Sequence, residues 1–376
     1  MVVARALVAG VVSVGVHGAA PVPTAPSRPR TWFSERIDRG AVLAPMAGFS
    51  DAPFRRLARH FGAAWAVSEM VSAYGLAHAV QDVRGLQISA PYQGEPFVVV
   101  QLFAADPALA ARAVQRLERR YRPDAFDLNL GCPVKKVVHR GCGSELLRDP
   151  GKAAGVLGAM VRAASVPVSA KLRLGVDRDV SLEVAQALAE AGAAALAVHG
   201  RTADQRYEGR ADWDAIARVA AAVAVPVLGS GDVTDAATYR QARSSGAGVM
   251  VARASVGRPW LFAEVHGAPT PTRDQVLTVV WRHARDHAAW YGGERPLRSV
   301  RGHLAAYARA LAATDEVTLD AATLRGALVR VDTLADLVAA CRDLLAVDVR
   351  RCHEDLDGVW RDLATAEATR PGTRAG

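Results

Sequence analysis

Between Ala41 and Val251 the chain carries eight short runs rich in Val, Leu and Ala, each followed by a longer stretch with helical spacing. The first four runs begin at Ala41-Val42-Leu43-Ala44, Ala64-Trp65-Ala66-Val67, Phe97-Val98-Val99-Val100 and Ala125-Phe126-Asp127-Leu128. The other four begin at Pro167-Val168-Ser169-Ala170, Ala194-Ala195-Leu196-Ala197, Pro226-Val227-Leu228-Gly229 and Gly248-Val249-Met250-Val251. Strands that alternate with helices pair in parallel, and eight such units close into a barrel. A faint internal echo supports repetition: Val166-Pro167-Val168 recurs as Val225-Pro226-Val227, with proline where a helix must stop before the next strand. The expected fold class is α/β, a (β/α)₈ TIM barrel.

Strand signals do not return after about Gly267. Thr272 and Gln275 stand at capping-box spacing, and Val276, Val279, Val280, Ala284, His287 and Tyr291 follow at helical intervals. A later stretch puts Val300, Leu304, Tyr307 and Leu311 on one helical face and Arg298, Arg301 and Arg309 on the opposite one. That basic face suits a polyanion, and it equally suits water. Leu324, Leu328, Val331, Leu334 and Leu337 extend the helical pattern to about Leu345. The expected organisation is an N-terminal extension over 1–30, a barrel over 31–267, a smaller all-helical C-terminal domain over 268–350 and a tail over 351–376.

In a barrel of this kind, chemistry sits at the carboxyl ends of the strands. Polar residues there read as follows: Pro45-Met46 after the first run, Glu69 after the second, Gln101 the third and Asn129 the fourth. Lys171 and Arg173 end the fifth, His199 and Arg201 the sixth, Ser230 and Asp232 the seventh, and Arg253 the eighth. Gly229-Ser230-Gly231-Asp232 and Ala252-Arg253-Ala254-Ser255 are turns whose backbone can approach an anion. With Lys171 to balance a reduced isoalloxazine and Gln101 to bond its edge, these turns point to flavin mononucleotide. Cys132, in Asn129-Leu130-Gly131-Cys132-Pro133, lies just beyond the fourth run and is followed by Lys135, Lys136, His139 and Arg140. A thiol on a glycine-flexed loop in basic surroundings is placed to give up a proton.

A formal charge of +8 and a pI near 9.7 favour a polyanionic partner, although an arginine-rich composition alone gives the same figures. The four cysteines form no CxxC pair and no zinc spacing, so no metal is expected and a reducing cytoplasm is the simplest setting. Ala6 to Ala20 is a weak signal-like run ahead of a proline-rich stretch, read as a disordered extension or a misassigned start. No later segment is apolar for long enough to cross a membrane, and no obligatory protein partner is expected.

The motifs, taken in order, resemble the bacterial tRNA-dihydrouridine synthases and, within them, the B-type branch. They are Ala44-Pro45-Met46-Ala47-Gly48 with Asp51-Ala52-Pro53-Phe54-Arg55, Val100-Gln101-Leu102, Asn129-Leu130-Gly131-Cys132-Pro133, Lys171-Leu172-Arg173, His199-Gly200-Arg201-Thr202, Gly231-Asp232 and Gly257-Arg258-Pro259-Trp260. The resemblance runs from about Ala41 to Leu345. It implies FMN along Pro45, Met46 and Ala47, with its ring touched by Gln101 and Lys171, its phosphate end surrounded by Ser230, Gly231, Asp232, Ala252 and Arg253, and His199 also binding the cofactor. It further implies Cys132 as general acid, Asn129, Arg173 and Arg201 toward the RNA base or backbone, NADPH or NADH as reductant, and a D-loop uridine of tRNA as substrate. Four positions depart from the pattern: Ser230 for asparagine, Ala252 for glycine, Ala203 for arginine and Gly302 for lysine. The alternatives are a small-molecule flavin reductase of the dihydropyrimidine or dihydroorotate type, and a tRNA-binding chaperone without catalysis.

Overall fold

A computed structural model describes residues 32–78, 83–293 and 295–353. The expected extension over 1–30 and nearly all of the expected tail lie outside these residues. The eight anticipated strands form a closed parallel barrel. They are β1 (Val42–Leu43), β2 (Ala66–Val67), β4 (Val98–Phe103), β5 (Ala125–Leu130), β6 (Val168–Arg173), β7 (Ala195–His199), β8 (Val227–Ser230) and β9 (Gly248–Val251). The additional β3 (Val71–Ser72) pairs with the far end of β4 and prolongs the line of β2. The register of β4 against Ala66–Val67 slips by one residue by Val71–Ser72, because Ser68-Glu69-Met70 inserts a bulge.

Six helices of eight or more residues pack outside the strands: α1 (Ala52–His60), α2 (Pro107–Tyr121), α3 (Pro150–Ala163), α4 (Ser181–Glu190), α5 (Trp213–Ala222) and α6 (Ala236–Arg243). Most start on an aspartate whose carboxylate accepts from the backbone of the first turn: Asp51, Asp106, Asp149, Asp212 and Asp235 all do so. Side chains alternate across a strand, so parity decides what faces inward. Val42, Val67, Val99, Ala125, Ala195, Ala197, Leu228 and Met250 fill the lower barrel together with Trp32, Phe33 and Trp65. The same parity carried upward brings Gln101, Asp127, Asn129, Ser169, Lys171, Arg173, His199 and Ser230 to the mouth.

The helical tail comprises α7 (Arg273–Tyr291), α8 (Arg301–Ala312), α9 (Ala321–Leu328) and α10 (Leu334–Leu345). The Thr272–Gln275 capping box is present, and Val276, Val279, Val280 and Ala284 are buried as their spacing requires. The tail shares one apolar cluster with Leu43, Phe54, Leu57, Val249 and Trp260 of the barrel. Burial of this seam, at about 25 cal/mol per Å² of apolar surface, holds the two parts together. Polar contacts fix its orientation: Asp51 meets His287 at 3.0 Å, and His303 Nε2 lies 2.9 Å from the Phe49 carbonyl. Gly257, at φ +73°, lets the chain pass against α8, since a Cβ there would stand 2.5 Å from Ala306.

The arginine face needs correction. Arg298 lies in the turn before α8, so only Arg301 and Arg309 belong to the helix. Arg301 is engaged within the protein, bonded to the Asp332 carboxylate and to the Val331 and Arg330 carbonyls. The carbonyls at the end of α9 needed a donor, and the first residue of α8 supplies it.

Candidate active site

A chain of buried hydrogen bonds crosses the barrel mouth. Ser169 Oγ donates to Asp127 (2.6 Å), Gln101 Nε2 donates to the other Asp127 oxygen (2.7 Å), and Asn129 Nδ2 donates to Gln101 Oε1 (2.8 Å). Asn129 Oδ1 in turn accepts from the amides of Gly131 (3.2 Å) and Cys132 (3.0 Å). The carboxamide of Asn129 therefore sets the path of the cysteine loop. Asp127 was not among the residues expected at the site, yet its parity with Asn129 was the signal that places it there. Burial raises the Asp127 carboxyl to about 6, against the pull of Gln101 and Ser169.

The cysteine loop is clamped from three further sides. Arg173 Nε donates to the Gly131 carbonyl, and both the amide and hydroxyl of Ser144 donate to the Cys132 carbonyl. Gly143 packs so closely that a Cβ would sit 2.6 Å from that oxygen. Cys132 is half-buried, and burial raises its thiol above the ordinary value despite the Val134 amide, Arg173 and Lys171. The sulfur accordingly keeps its proton at neutral pH. This suits an acid rather than a thiolate nucleophile.

Lys171 lies in register with Asn129 on the neighbouring strand, and burial and then Arg173 lower its ammonium to about 8. His199 is held neutral, down to about 2, by burial and by Lys171, Arg173, Arg201 and Arg253. Its Nδ1 lies 3.2 Å from Ser230 Oγ, while Nε2 is buried without a hydrogen-bond partner, as is Nη1 of Arg201. Orphaned buried donors cost about 1–3 kcal/mol each unless something else satisfies them. Gly231, at φ +136°, could not carry a side chain, because its Cβ would lie 2.4 Å from that of Ala211. Two orphaned buried nitrogens beside a glycine turn fit the anionic end of a flavin nucleotide. Ala252 and Arg253 open the turn on its other side, and Pro45, Met46 and Ala47 form the partly open loop after β1.

Two of the expected site residues are also engaged within the protein. The Asp232 carboxylate accepts from Arg201 Nη2 (2.7 and 2.8 Å) and from the Ala211 amide (2.8 Å), so it braces Arg201. Arg173 also donates to the carbonyls of Thr202 and Arg206. Tyr207, missed in the sequence, stands more than half exposed with the guanidiniums of Arg253 and Arg173 4.2 and 5.8 Å from its ring centre. An aromatic residue inside the charged run Asp204–Arg210 was the available signal. The departures at 203 and 302 also find structural reasons. Ala203 is buried in the main core, and a Cβ on Gly302 would meet the Phe49 ring at 2.8 Å.

A parallel barrel that gathers cations, a glycine turn and a loop cysteine at its strand ends has the layout of an enzyme's active site. Residues 42–340 match the family model described as Dihydrouridine synthase (Dus), and the chain belongs to that family, one of flavin-dependent oxidoreductases. It is 40% identical over 291 residues to a probable tRNA-dihydrouridine synthase of Rhodobacter capsulatus, covering 74% of this chain and 89% of that protein. It is 38% identical over 283 residues to a probable tRNA-dihydrouridine synthase of Rhizobium leguminosarum, covering 73% and 88%. It is 37% identical over 287 residues to tRNA-dihydrouridine synthase B of Pseudomonas aeruginosa, covering 71% and 82%.

Proposed function

We propose that this chain is an FMN-dependent tRNA-dihydrouridine synthase that reduces the C5–C6 double bond of a D-loop uridine, with NADPH as electron source, in the cytoplasm. The observation that carries the reading is the Cys132 loop at the barrel mouth, anchored through Asn129 to Gln101 and Asp127. FMN would rest along Pro45, Met46 and Ala47 with its ring near Gln101 and Lys171. Its phosphate would meet His199 Nε2, Ser230, Gly231, Ala252 and Arg253, and Asp232 would serve through Arg201. When bound, the flavin supplies a hydride for uracil C6.

The chain's own residues supply the rest. Cys132 gives its proton to C5 as negative charge develops there, and the thiolate left behind is stabilised by the Lys171 and Arg173 charges until solvent reprotonates it. A general acid so placed contributes about 10²- to 10⁴-fold. A uridine stacked in folded RNA is out of reach of a barrel mouth, so the base must be drawn out and held. Asn129 retains one free N–H for a base carbonyl, and Arg173 with Tyr207 offers a charged, aromatic wall beside it.

The test is direct. Purified protein loaded with FMN is incubated with NADPH and unmodified tRNA transcript, and dihydrouridine is measured by mass spectrometry of nucleosides. The reading expects dihydrouridine in tRNA and negligible reduction of free uracil. Comparable turnover of free uracil would instead identify a small-molecule reductase.

A further inference from the structure

We propose that a cavity beside the cysteine loop takes the base of a nucleotide adjacent to the reduced uridine; the inference rests on the tRNA reading above. The cavity, about 370 Å³, is lined by Ser72, Tyr74, Phe103, Leu109, Arg140 and Cys142, among others. Ser72 and Phe103 are the last residues of β3 and β4, so it opens on the same carboxyl-end face as the catalytic mouth. Its size is near the lower limit for small-molecule sites, which suits one nucleobase.

Three features choose the occupant. Tyr74 is 56% exposed, stacked on His78 with centroids 4.2 Å apart, and the Arg140 guanidinium lies 5.7 Å from its ring centre. The exposed Tyr74 ring is backed by His78, and a base can stack on it where the flexible Arg140 side chain gives way, since every base has a π-face to meet it. Asp106 lines the cavity: its Oδ1 caps α2 through the Leu109 amide, which leaves Oδ2 to accept from the exocyclic amine of a base, while the negative charge disfavours a phosphate there. Lys135, Lys136, His139 and Arg140 are exposed on the neighbouring loop, where the phosphates flanking that base would run.

The cavity is also joined to the acid. Gly141 abuts Ala105 on the cavity wall, Cys142 lines it, and Gly143 and Ser144 then clasp the Cys132 carbonyl. Two residues span at most about 7 Å, so the wall and the acid loop are separated by roughly one nucleotide step. Occupying the cavity would register the neighbouring base against Cys132 and so choose which uridine lies over it.

The experiment measures affinity of the FMN-loaded protein for unmodified tRNA, using wild type, Tyr74→Ala, Tyr74→Phe and Arg140→Ala. Each is paired with transcripts made abasic on the 5′ or the 3′ side of the reduced uridine. Stacking of one base is worth about 1–3 kcal/mol, so Tyr74→Ala should weaken binding about 5- to 150-fold. Tyr74→Phe should stay within about twofold, and NADPH oxidation by the bound flavin should be unchanged in all three. One abasic transcript should lose affinity for wild type but bind Tyr74→Ala no more weakly than intact tRNA does. Equal affinity of Tyr74→Ala and wild type, or equal loss on the abasic transcript in both, would overturn the proposal while leaving tRNA reduction intact. Failure of wild type to bind or reduce any tRNA would remove the function reading, and this inference with it.

Discussion

Truncating Asn129 to alanine separates two roles that its position at the strand end makes possible, touching the base and holding the cysteine loop. The side chain makes three hydrogen bonds, one to Gln101 and two from the Gly131 and Cys132 amides. Each is worth about 1 kcal/mol net, and Gln101 Oε1 would be left buried without its donor, so the fold should lose about 2–4 kcal/mol. At about 2.1 cal/mol/K of unfolding entropy per residue, a chain of this length loses roughly 3–6 °C of melting temperature, leaving a folded, flavin-binding protein at 25 °C. The loop amides lose their anchor, and a displacement on the order of 1 Å at the acid costs about 100-fold in rate. The assay is steady-state dihydrouridine formation with tRNA varied. A positioning role predicts a fall in kcat of about two orders of magnitude with little change in KM, whereas a role in gripping the base raises KM. Wild-type kcat in a protein that has lost the expected stability would refute the argument that Asn129 aims Cys132.

Gly231→Ala should weaken FMN binding at least about tenfold, since the new methyl overlaps Ala211 and the positive φ becomes strained. Adding Ala211→Gly should restore part of the affinity measured by flavin fluorescence, and an unaffected single variant would mean that this turn does not hold the phosphate. Stability should also fall in acid. His199, His283 and His303 stay neutral when folded, His303 down to about 4, mainly through burial, so the unfolded chain takes up their protons first as pH drops below 6.5. Asp127, raised to about 6, works in the opposite sense by binding its proton earlier when folded. Near pH 5 the unfolded state thus holds about two more protons, a slope of about 2–3 kcal/mol per pH unit. Urea denaturation at pH 6.5 and 5.5 checks this, and stability that is flat or higher at pH 5.5 contradicts it. Arg301→Ala should lower stability through the lost Asp332 pairing while leaving tRNA affinity within about twofold, because that guanidinium already has internal partners. A large affinity loss would return Arg301 to the RNA interface.

Much of the barrel was legible because strand parity and strand ends are sequence properties. Gln101, Asn129, Lys171 and His199 each close an apolar run, and the closed sheet brings them to one mouth. Asp127 could have been found by the same rule, two residues before Asn129. The short β3 could not, since the polar insertion Ser68-Glu69 interrupts the pattern and only pairing with β4 makes Val71–Ser72 a strand. Partnerships between side chains were hidden for a different reason. Arg201 and Asp232 stand on neighbouring strand ends, and Arg301 and Asp332 on the tail, and charge alone does not say whether an arginine faces a carboxylate or the solvent. The cavity under Tyr74 requires β3, α2 and the loop after β5 to converge, and no local spacing records that.

Delivery of the C5 proton by Cys132 can be tested in a single turnover. Wild type and Cys132→Ala, matched for FMN content and tRNA affinity, are pre-reduced with NADPH and mixed in a single turnover with unmodified tRNA, and dihydrouridine is counted by mass spectrometry. A loss of about 10²- to 10⁴-fold in the variant's rate, with flavin reduction unchanged, is the predicted result. Equal single-turnover rates in the two proteins would contradict the account and place the acid elsewhere in the mouth.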